Sequence, residues 1–453
     1  MGPTRQIAEL IQQTEYKDIL PEVAHQAKLL MLDTLGCALA GYTLAEEEVG
    51  WALQYVRGQK AAGPATVFCD GARTSAANAA LANGVMVHTI DFDDTHMGSI
   101  AHLGAALLAT TLAVGEERRA SGQEVIAAFI LGFDLGARLG RSVMPSHYKY
   151  WHPTATLGGI AAAAAAAKLM GQDADQIEQV IGLAADAASG MRYGIEHGDF
   201  SKTLHPGFAA MKAVVFSELV GLGASGPKAF LEYPSGFCHA FSSQPNLEAL
   251  VKNLGGHYEI MEDSIKSFPS IQCSHTSVTA ALQLARRYQI KPEDVKEIDI
   301  VQTATVPGQG CNYAPCTPLA ARLSTPFCVA LAVSDGEVSL QKFTPQRIQD
   351  AKLKELMNKI KIRGSEEMKQ QYPETIAAVV KLSTLDGNTY TATQIYPKGD
   401  PRNRLSDQEI KDKFTSLARL TLGQDRVARL IDQVLRLEGL TDLQALTGLT
   451  KKA

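Results

Sequence analysis

The segment "HPTATLGGIAAAAAAAKLMG" (residues 152–171) decides the architecture that we expect for this chain. Pro153 suits the first turn of a helix, where its missing N–H is not needed, and Gly171 suits the residue that follows a helix end. Between them, seven consecutive alanines (residues 161–167) leave very little side-chain volume. Since the distance between packed helices depends on the side chains at their contact, neighbours can approach closely. We therefore predict that this helix lies at the centre of a mainly α-helical protein.

Periodicity extends the helical pattern on both sides, over most of the first 265 residues. The segments "PEVAHQAKLLMLDTLGCALAG" (residues 21–41) and "SGQEVIAAFILGFDLGARLG" (residues 121–140) carry apolar residues at helical spacing. The first begins at Pro21 and is expected to stop at Gly41. This region is predicted to form a large helical domain.

The pattern changes after about residue 290. The segment "VKEIDIVQTATV" (residues 295–306) alternates and is rich in β-branched residues, which predicts a strand. "AAVVKLSTLDGNTYTATQIY" (residues 377–396) predicts two strands joined at Asp386 and Gly387, a strong hairpin signal. "TPQRIQDAKLKELMNKIKI" (residues 344–362), which lies between them, is predicted to be helical throughout.

Helices resume near Ser406, which forms a capping box with Glu409. The predicted fold class is mainly α, a large all-helical domain with an inserted smaller α+β lid domain. Residues 1–265 form the first part of the helical domain, residues 266–398 form the lid, and residues 399–453 return to the helical domain.

Composition narrows the class of function. The net charge of -5 and the isoelectric point near 6.1 argue against nucleic acid as a partner. The seven cysteines form no Cys-x-x-Cys pair, which argues against a zinc ribbon or an iron–sulfur cluster. An odd number of cysteines and no apolar signal region at the N-terminus predict a cytoplasmic protein with reduced thiols. The alanine-rich segment is too short to span a membrane, and we expect no membrane partner.

The segment "HTIDFDDTHMGSIAH" (residues 88–102) concentrates aspartate and histidine. If residues 77–95 are helical, His88, Asp91 and Thr95 share one face of the helix. Asp93 and Asp94 would then point elsewhere, and Gly98 would end the helix.

Three interpretations of this segment are open. Asp91, Asp93, His96 and His102 could bind a divalent metal, although ligands two and three residues apart on a helix diverge. The aspartates could instead be structural groups at a helix end. In the third interpretation, Asp91 is a general base or a substrate anchor, with His102 nearby.

Three predicted helix starts carry histidine, and each could bind an anion. They are His152–Pro153, His205–Pro206 and Ser274–His275. A helix N-terminus offers free N–H groups and a partial positive charge, which suit a carboxylate. Taken one by one, these are ordinary structural histidines. Together with the neighbouring Lys202, Thr203 and Lys266, they predict a pocket for a polyanion.

The chain resembles the MmgE/PrpD family, which contains 2-methylcitrate dehydratase, cis-aconitate decarboxylase and iminodisuccinate epimerase. Eight segments carry the resemblance, in the family's order and over nearly the whole chain. They are "LMLDTLGCALAG" (30–41), "HTIDFDDTH" (88–96), "WHPTATLGG" (151–159), "FSKTLHPGFAA" (200–210), "GPKAFLEYPSGF" (226–237), "IKSFPSIQCSH" (265–275), "LSTPFCVALAV" (323–333) and "YPKGDPRNRLS" (396–406).

The resemblance implies a homodimer that needs no metal and no organic cofactor. It also implies a cleft for a small di- or tricarboxylate between the helical domain and the lid. The side chains that it places in or beside this cleft are Asp91, Thr95, His102, His152, Lys202, Lys266 and His275. We count Asp91, His102, His152, Lys202 and Lys266 as candidate catalytic residues, and Thr95, Thr203, His205 and His275 as candidate substrate-binding residues.

The shared chemistry of the family is removal of a proton α to a carboxylate, followed by loss of water or CO2 or by return of the proton. Asp91 or His152 could be the base, and His102 could protonate the leaving group. Three departures bear on the branch. His102 is followed by Leu103, whereas the dehydratases carry an aromatic residue and Gly-His-Pro after the acidic motif. Ile271 stands where the decarboxylases carry a histidine, and Phe327 stands where a tyrosine is expected.

The sequence therefore predicts a dehydratase that resembles 2-methylcitrate dehydratase. An epimerase of a substituted succinate and a cis-aconitate decarboxylase are the alternatives within the family. A metallohydrolase that uses the Asp/His cluster and a non-catalytic carboxylate binder are the alternatives of another class.

Overall fold

The computed structural model describes residues 1–303, 310–372 and 375–452, and it is mainly α-helical. The α-helices are α1 (Pro3–Gln13), α2 (Pro21–Leu44), α3 (Glu46–Gly58), α4 (Ala76–His88), α5 (Leu103–Arg118), α6 (Gly122–Val143), α7 (Pro153–Leu169), α8 (Ala174–Asp186), α9 (Tyr193–His197), α10 (Phe200–Gly221), α11 (Phe237–Phe241), α12 (His275–Tyr288), α13 (Pro318–Arg322), α14 (Thr325–Asp335), α15 (Pro345–Gln349), α16 (Ala351–Asn358), α17 (Glu366–Lys369), α18 (Asp407–Ala418), α19 (Gln424–Leu435) and α20 (Gln444–Thr447).

The strands form one four-stranded sheet and two short pairs. The strands are β1 (Ala65–Thr66), β2 (Arg73–Thr74), β3 (Thr95–His96), β4 (Asp263–Ser264), β5 (Val295–Thr303), β6 (Ile360–Ser365), β7 (Ala378–Thr384) and β8 (Thr389–Gln394). The sheet has the order β6-β5-β7-β8, in which β6 runs parallel to β5 and the other neighbours are antiparallel. The pair β3–β4 matters for the site, because it joins Thr95 to Ser264, two residues before Lys266.

The alanine-rich helix is central, as predicted. All seven alanines of residues 161–167 have no exposed surface. Helices α5, α6, α8 and α10 pack around α7. Gly171 adopts the left-handed conformation, with φ of +69°, just beyond the helix end. The small side chains therefore allow four neighbouring helices to pack against α7, as the sequence predicts.

Helix α2 is long and apolar enough to cross a membrane by length and composition, but 83% of its most apolar window is buried inside the protein. It packs against α4, α18 and α19. Its apolar side chains thus belong to the protein core.

The β-rich segment has a core of its own. Buried residues of α12, α14 and α16 form a hydrophobic cluster with β5, β6, β7 and β8, separate from the main cluster of the helical part. Helices α18 and α19 return to pack on α2. The boundaries at residues 265 and 398, and the description of this segment as a lid, stay predictions.

Several local predictions are confirmed. Strand β5 begins at Val295 as expected, although residues 304–306 of the predicted strand lie outside the described residues. Strands β7 and β8 pair around Asp386 and Gly387. Ser406 and Glu409 form the predicted capping box.

Other local predictions are wrong. Helix α4 ends at His88, not at residue 95 or Gly98, because Asp91 has a φ of +53° that no α-helix accommodates. Helix α10 begins at Phe200, so Pro206 lies inside it and His205–Pro206 is not a helix start. The end of residues 344–362 is strand β6, not helix.

We predict that Gly132→Ala destabilises the protein by about 1–3 kcal/mol, whereas Gly158→Ala is tolerated. A Cβ at Gly132 on α6 would lie 2.7 Å from the carbonyl oxygen of Ala161 on α7. A Cβ at Gly158 would meet the Ala106 side chain at 3.6 Å, an ordinary contact. Chemical denaturation measures both; equal effects would show that α6 and α7 are not so closely packed.

Candidate active site

Asp91 lies between two buried lysines at the centre of the candidate site. Its Oδ1 atom accepts hydrogen bonds from Lys202 Nζ at 2.9 Å and from Lys266 Nζ at 3.3 Å. Lys266 also donates to the Asp91 carbonyl oxygen at 3.0 Å. Burial alone would raise the pKa of Asp91, but the two lysines outweigh it and hold the pKa far below its usual range. Asp91 is therefore an ionised anchor that holds two cations together.

The backbone at Asp91 is strained. A positive φ costs free energy in a residue with a side chain, and such strain persists where the surroundings enforce it. The positive φ of Asp91 turns both its carboxylate and its carbonyl toward Lys266. The conformation lets one residue hold that lysine at two points.

His88 and Asp93 extend the network behind Lys202. Lys202 Nζ lies 2.9 Å from His88 Nε2, and His88 Nδ1 lies 2.7 Å from Asp93 Oδ2. With the imidazole neutral, His88 donates to Asp93 and accepts from Lys202, because lysine has only donors. Burial lowers the pKa of His88, which supports the neutral form. The expectation that Asp93 points away from His88 and Asp91 is wrong.

His102 is the N-terminal cap of α5 and faces the cavity. Its Nδ1 atom contacts the Asp94 carbonyl oxygen, which can only accept. Nδ1 therefore carries the proton, and Nε2 keeps a free lone pair. Burial, followed by the nearby Lys266, lowers the pKa of His102 to about 3. His102 is a neutral acceptor at physiological pH.

His152 caps α7, as predicted, and pairs with His205. The two Nδ1 atoms are 2.8 Å apart, so one ring donates to the other. His152 Nε2 is buried and has no hydrogen-bond partner among the described residues, although His152 lines the cavity. Burial lowers the pKa of His152 well below its usual value. When His152 donates from Nδ1 to His205, this unpaired nitrogen is a second neutral acceptor.

These groups surround one small cavity, of about 50 Å³. It is lined by Asp91, Thr95, Met97, Ile100, His102, Tyr148, His152, Ile195, Lys202, Lys266, Ile271, Gln272, Cys273, Leu323, Tyr372 and Ile376. Six candidate residues thus meet in one place: Asp91, Thr95, His102, His152, Lys202 and Lys266.

Three other candidates lie outside the cavity lining. Thr203 donates its hydroxyl to the Phe200 carbonyl within α10, and His205 reaches the cavity only through His152. His275, at the first position of α12, lies 3.2 Å through Nε2 from the Ser270 carbonyl. Direct substrate binding by these three stays a prediction.

The two departures from the decarboxylase pattern have different positions. Ile271 lines the cavity, as the resemblance implies. Phe327 is fully buried in the core of the β-rich segment, where its ring packs near Phe343. Phe327 is not among the residues that line the cavity.

Sequence reasoning missed His88, Tyr148 and Tyr372. The sequence did contain a signal for His88, because His88 was predicted to lie on the same helix face as Asp91. The tyrosines come from segments without a motif, between α6 and α7 and after α17. Burial, followed by Tyr148, raises the pKa of Tyr372 well above its usual value, so its phenol stays protonated.

The four predicted metal ligands do not form a group. His96 Nδ1 lies 3.0 Å from Ser99 Oγ, and Nε2 lies 3.3 Å from Glu259. Within the described chain, His88, His102 and His152 do converge, with nitrogen atoms within 4.8 Å of one another. However, the His88 nitrogens already contact Asp93 and Lys202, and an ammonium group at this position opposes a cation.

Further carboxylates are buried next to the site. Asp94 accepts from the Gly104 N–H, and burial, followed by Asp93, raises the pKa of Asp94 to about 8. Burial and the neighbouring Asp94 raise the pKa of Asp263 well above its usual value. Both carboxyl groups therefore keep their protons to a higher pH than a free aspartate does.

The family models agree with this architecture. The MmgE/PrpD N-terminal domain matches residues 5–250, and the MmgE/PrpD C-terminal domain matches residues 268–438. The chain belongs to the MmgE/PrpD family.

Curated relatives align over nearly their whole length. A cis-aconitate decarboxylase of Aspergillus terreus is 27% identical over 99% of this chain and 96% of its own. Enzymes of the same name from Mus musculus and Homo sapiens are 26% and 25% identical, over 93% and 94% of their own chains.

We predict that Lys202→Met and Lys266→Met each lower turnover by about 10²–10³-fold while the protein stays folded. Each variant leaves Asp91 with one lysine, so the carboxylate is not stranded. Lys212→Met is the matched control, because Lys212 lies on the same helix as Lys202 but donates to Ala187 and Ser189. Wild-type kinetics in either site variant would remove that lysine from the mechanism.

We predict that Asp94→Asn makes the stability of the protein less sensitive to rising pH. In the unfolded chain this carboxyl ionises near pH 4, whereas the folded protein keeps its proton up to a pH of about 8. The folded state thus binds more protons in that window, and stability falls as the pH rises through it. An amide carries no such proton and can still accept from Gly104.

At pH 8 the Asp94→Asn variant should exceed the wild type by at least about 1 kcal/mol in free energy of unfolding. Thermal unfolding between pH 5 and pH 8 measures this, with the exposed Asp412→Asn as control. If stability depends on pH in the same way for the wild type and Asp94→Asn, Asp94 is ionised in the folded protein.

Proposed function

We propose that this protein is a lyase that moves a proton at a carbon next to a carboxylate of a small polycarboxylate, without a metal or organic cofactor. The observation that carries this proposal is the pair of buried lysines, fixed by one aspartate, that face the same cavity as two neutral histidines. Proton removal from such a carbon spreads negative charge onto a carboxylate that is already charged, and fixed cations in a site with little water stabilise that state.

The lysines have donors left for a substrate. Lys202 uses two N–H groups on His88 and Asp91, and Lys266 uses two on the carbonyl and carboxylate of Asp91. An ammonium group has three donors, so each lysine can give one to a substrate carboxylate. Asp91 sets the position of both donors, and its very low pKa makes it a poor base.

We assign the base to an imidazole, at His102 Nε2 or His152 Nε2. Both nitrogens are free in the fold, and both rings are neutral. A bound dianion brings negative charge next to the rings and raises the pKa of each toward neutrality. The imidazolium that forms can then give this proton to the leaving group. This differs from the expectation that Asp91 could be the base.

Loss of water is the bond cleavage that the cavity favours. A hydro-lyase needs a base, an acid for the departing hydroxyl and a clamp for the carboxylates, and the polar groups of the cavity supply all three. The position of the decarboxylase histidine is filled by Ile271, which cannot transfer a proton.

Loss of CO2 is the second candidate. The relatives described above are cis-aconitate decarboxylases. Tyr148 and Tyr372 also offer phenol donors on the side of the cavity where Ile271 offers none. Epimerisation shares the first step and would return the proton without cleaving a bond.

We also propose that the protein is a cytoplasmic homodimer. Phe208, Val215 and Leu219 on α10, and Leu222 directly after it, are exposed at spacings of seven, four and three residues, which places them along one face. An exposed apolar face of this kind suits a second copy of the chain. All seven cysteines are described and none forms a disulfide, as expected in a reducing compartment.

The deciding experiment is NMR of a panel of di- and tricarboxylates incubated with the protein in D2O. We expect deuterium at a carbon next to a carboxylate, and the same rate in EDTA. New resonances distinguish an added or lost hydroxyl from released CO2. Lys202→Met and Lys266→Met should each exchange far more slowly than the wild type, while Lys212→Met should match it. No exchange with any acid would contradict the proposal, and loss of exchange in EDTA would favour the metallohydrolase.

A further inference from the structure

The cavity has two unlike ends. One end carries the lysines, Asp91, Thr95 and the two histidines. The other end belongs to a continuous hydrophobic cluster, whose cavity-lining members include Tyr148, Ile271, Cys273, Leu323, Tyr372 and Ile376. A substrate that fills the cavity therefore meets charge on one side and aliphatic or aromatic surface on the other.

The charges can be counted. Of the described residues that line the cavity, Lys202 and Lys266 are the cations. Each has one donor to spare, as shown above, so together they can hold two carboxylates. A third carboxylate would have to lie at the apolar end, where no described lining residue is a cation and Arg192 stands behind the Tyr148 ring. Burial of a charged group without an opposite charge is strongly unfavourable.

Polar groups at the apolar end are neutral. They are the phenols of Tyr148 and Tyr372, the Gln272 amide and the Cys273 thiol. Burial raises the pKa of Cys273 to about 12, so that its thiol is uncharged. These groups can hydrogen-bond a hydroxyl or contact an alkyl chain, but none supplies positive charge.

We infer that the substrate is a dicarboxylate with a short, uncharged and mainly apolar substituent, and that water is added to it or removed from it. The inference rests on the proposed lyase function and names its substrate class. In the dehydration direction, an imidazole takes the proton from the carbon next to one carboxylate. The electron pair of that C–H bond forms the C=C bond, and hydroxide leaves the neighbouring carbon and takes up the proton from the imidazolium, so that water is released and the ring is neutral again. The small volume of the cavity limits the substituent to a few carbon atoms.

A pair of probes isolates the charge at the apolar end. cis-Aconitate is maleate with a carboxymethyl group, and 2-isobutylmaleate carries an isobutyl group in the same place. The two substituents have the same number of non-hydrogen atoms and the same branching, and differ in charge. Binding is measured by calorimetry, and hydration is followed by NMR in D2O.

For the wild type we expect 2-isobutylmaleate to bind at least about tenfold more tightly than cis-aconitate and to be hydrated faster. Ile271→Lys should reverse this order by adding a third cation, while Ile271→Met should keep it. Ile376→Lys repeats the test from another segment if the first variant does not fold.

Equal or tighter binding of cis-aconitate by the wild type would overturn the inference, as would failure of both acids to bind. Either result can coexist with deuterium exchange in other acids of the panel, which would leave the proposed lyase function standing. Absence of exchange with every acid would instead remove the lyase function itself.

Discussion

The contact of Asp91 with Lys202 and Lys266 is the constraint on which the rest of the site depends. Two buried ammonium groups repel each other and lose their hydration, so they persist only with a shared anion. Loss of one partner from a buried ion pair typically costs about 3–5 kcal/mol. Asp91 supplies the anion, and its strained backbone supplies a second acceptor for Lys266. Since the lysines lie 111 and 175 residues from Asp91 in the sequence, this contact also fixes how distant parts of the chain meet.

The helical scaffold makes that meeting possible. The small side chains of α7 let both α5 and α10 pack closely against it. His102 then stands at the start of α5, His152 at the start of α7 and Lys202 in the first turn of α10. Three helix beginnings therefore converge, and their free N–H groups add partial positive charge near the lysines. The short pair β3–β4 brings the segment with Lys266 to the same point.

Much of this could be predicted from local sequence, because it follows from local rules. The central helix follows from a run of alanine, and the hairpin follows from Asp386–Gly387. The gathering of Asp91, Lys202 and Lys266 follows from the resemblance. The failures have a common cause: tertiary contacts override local preference. The helix at residues 77–95 stops early because Asp91 turns toward Lys266, and Pro206 is tolerated inside α10. Tyr148 and Tyr372 have no motif, and only the fold shows that they face the same cavity.

The β-rich segment contributes three residues to the apolar end of the cavity: Ile271, Leu323 and Ile376. The helical part contributes four of the polar groups: Asp91, His102, His152 and Lys202. Substitutions at those three positions need not disturb the lysine–aspartate contact or the histidine tautomers. Under the proposed function, selection can therefore change which acid is accepted without changing the proton chemistry. Because these two sets of residues lie in different parts of the chain, proteins descended from one gene can diverge in substrate through few substitutions.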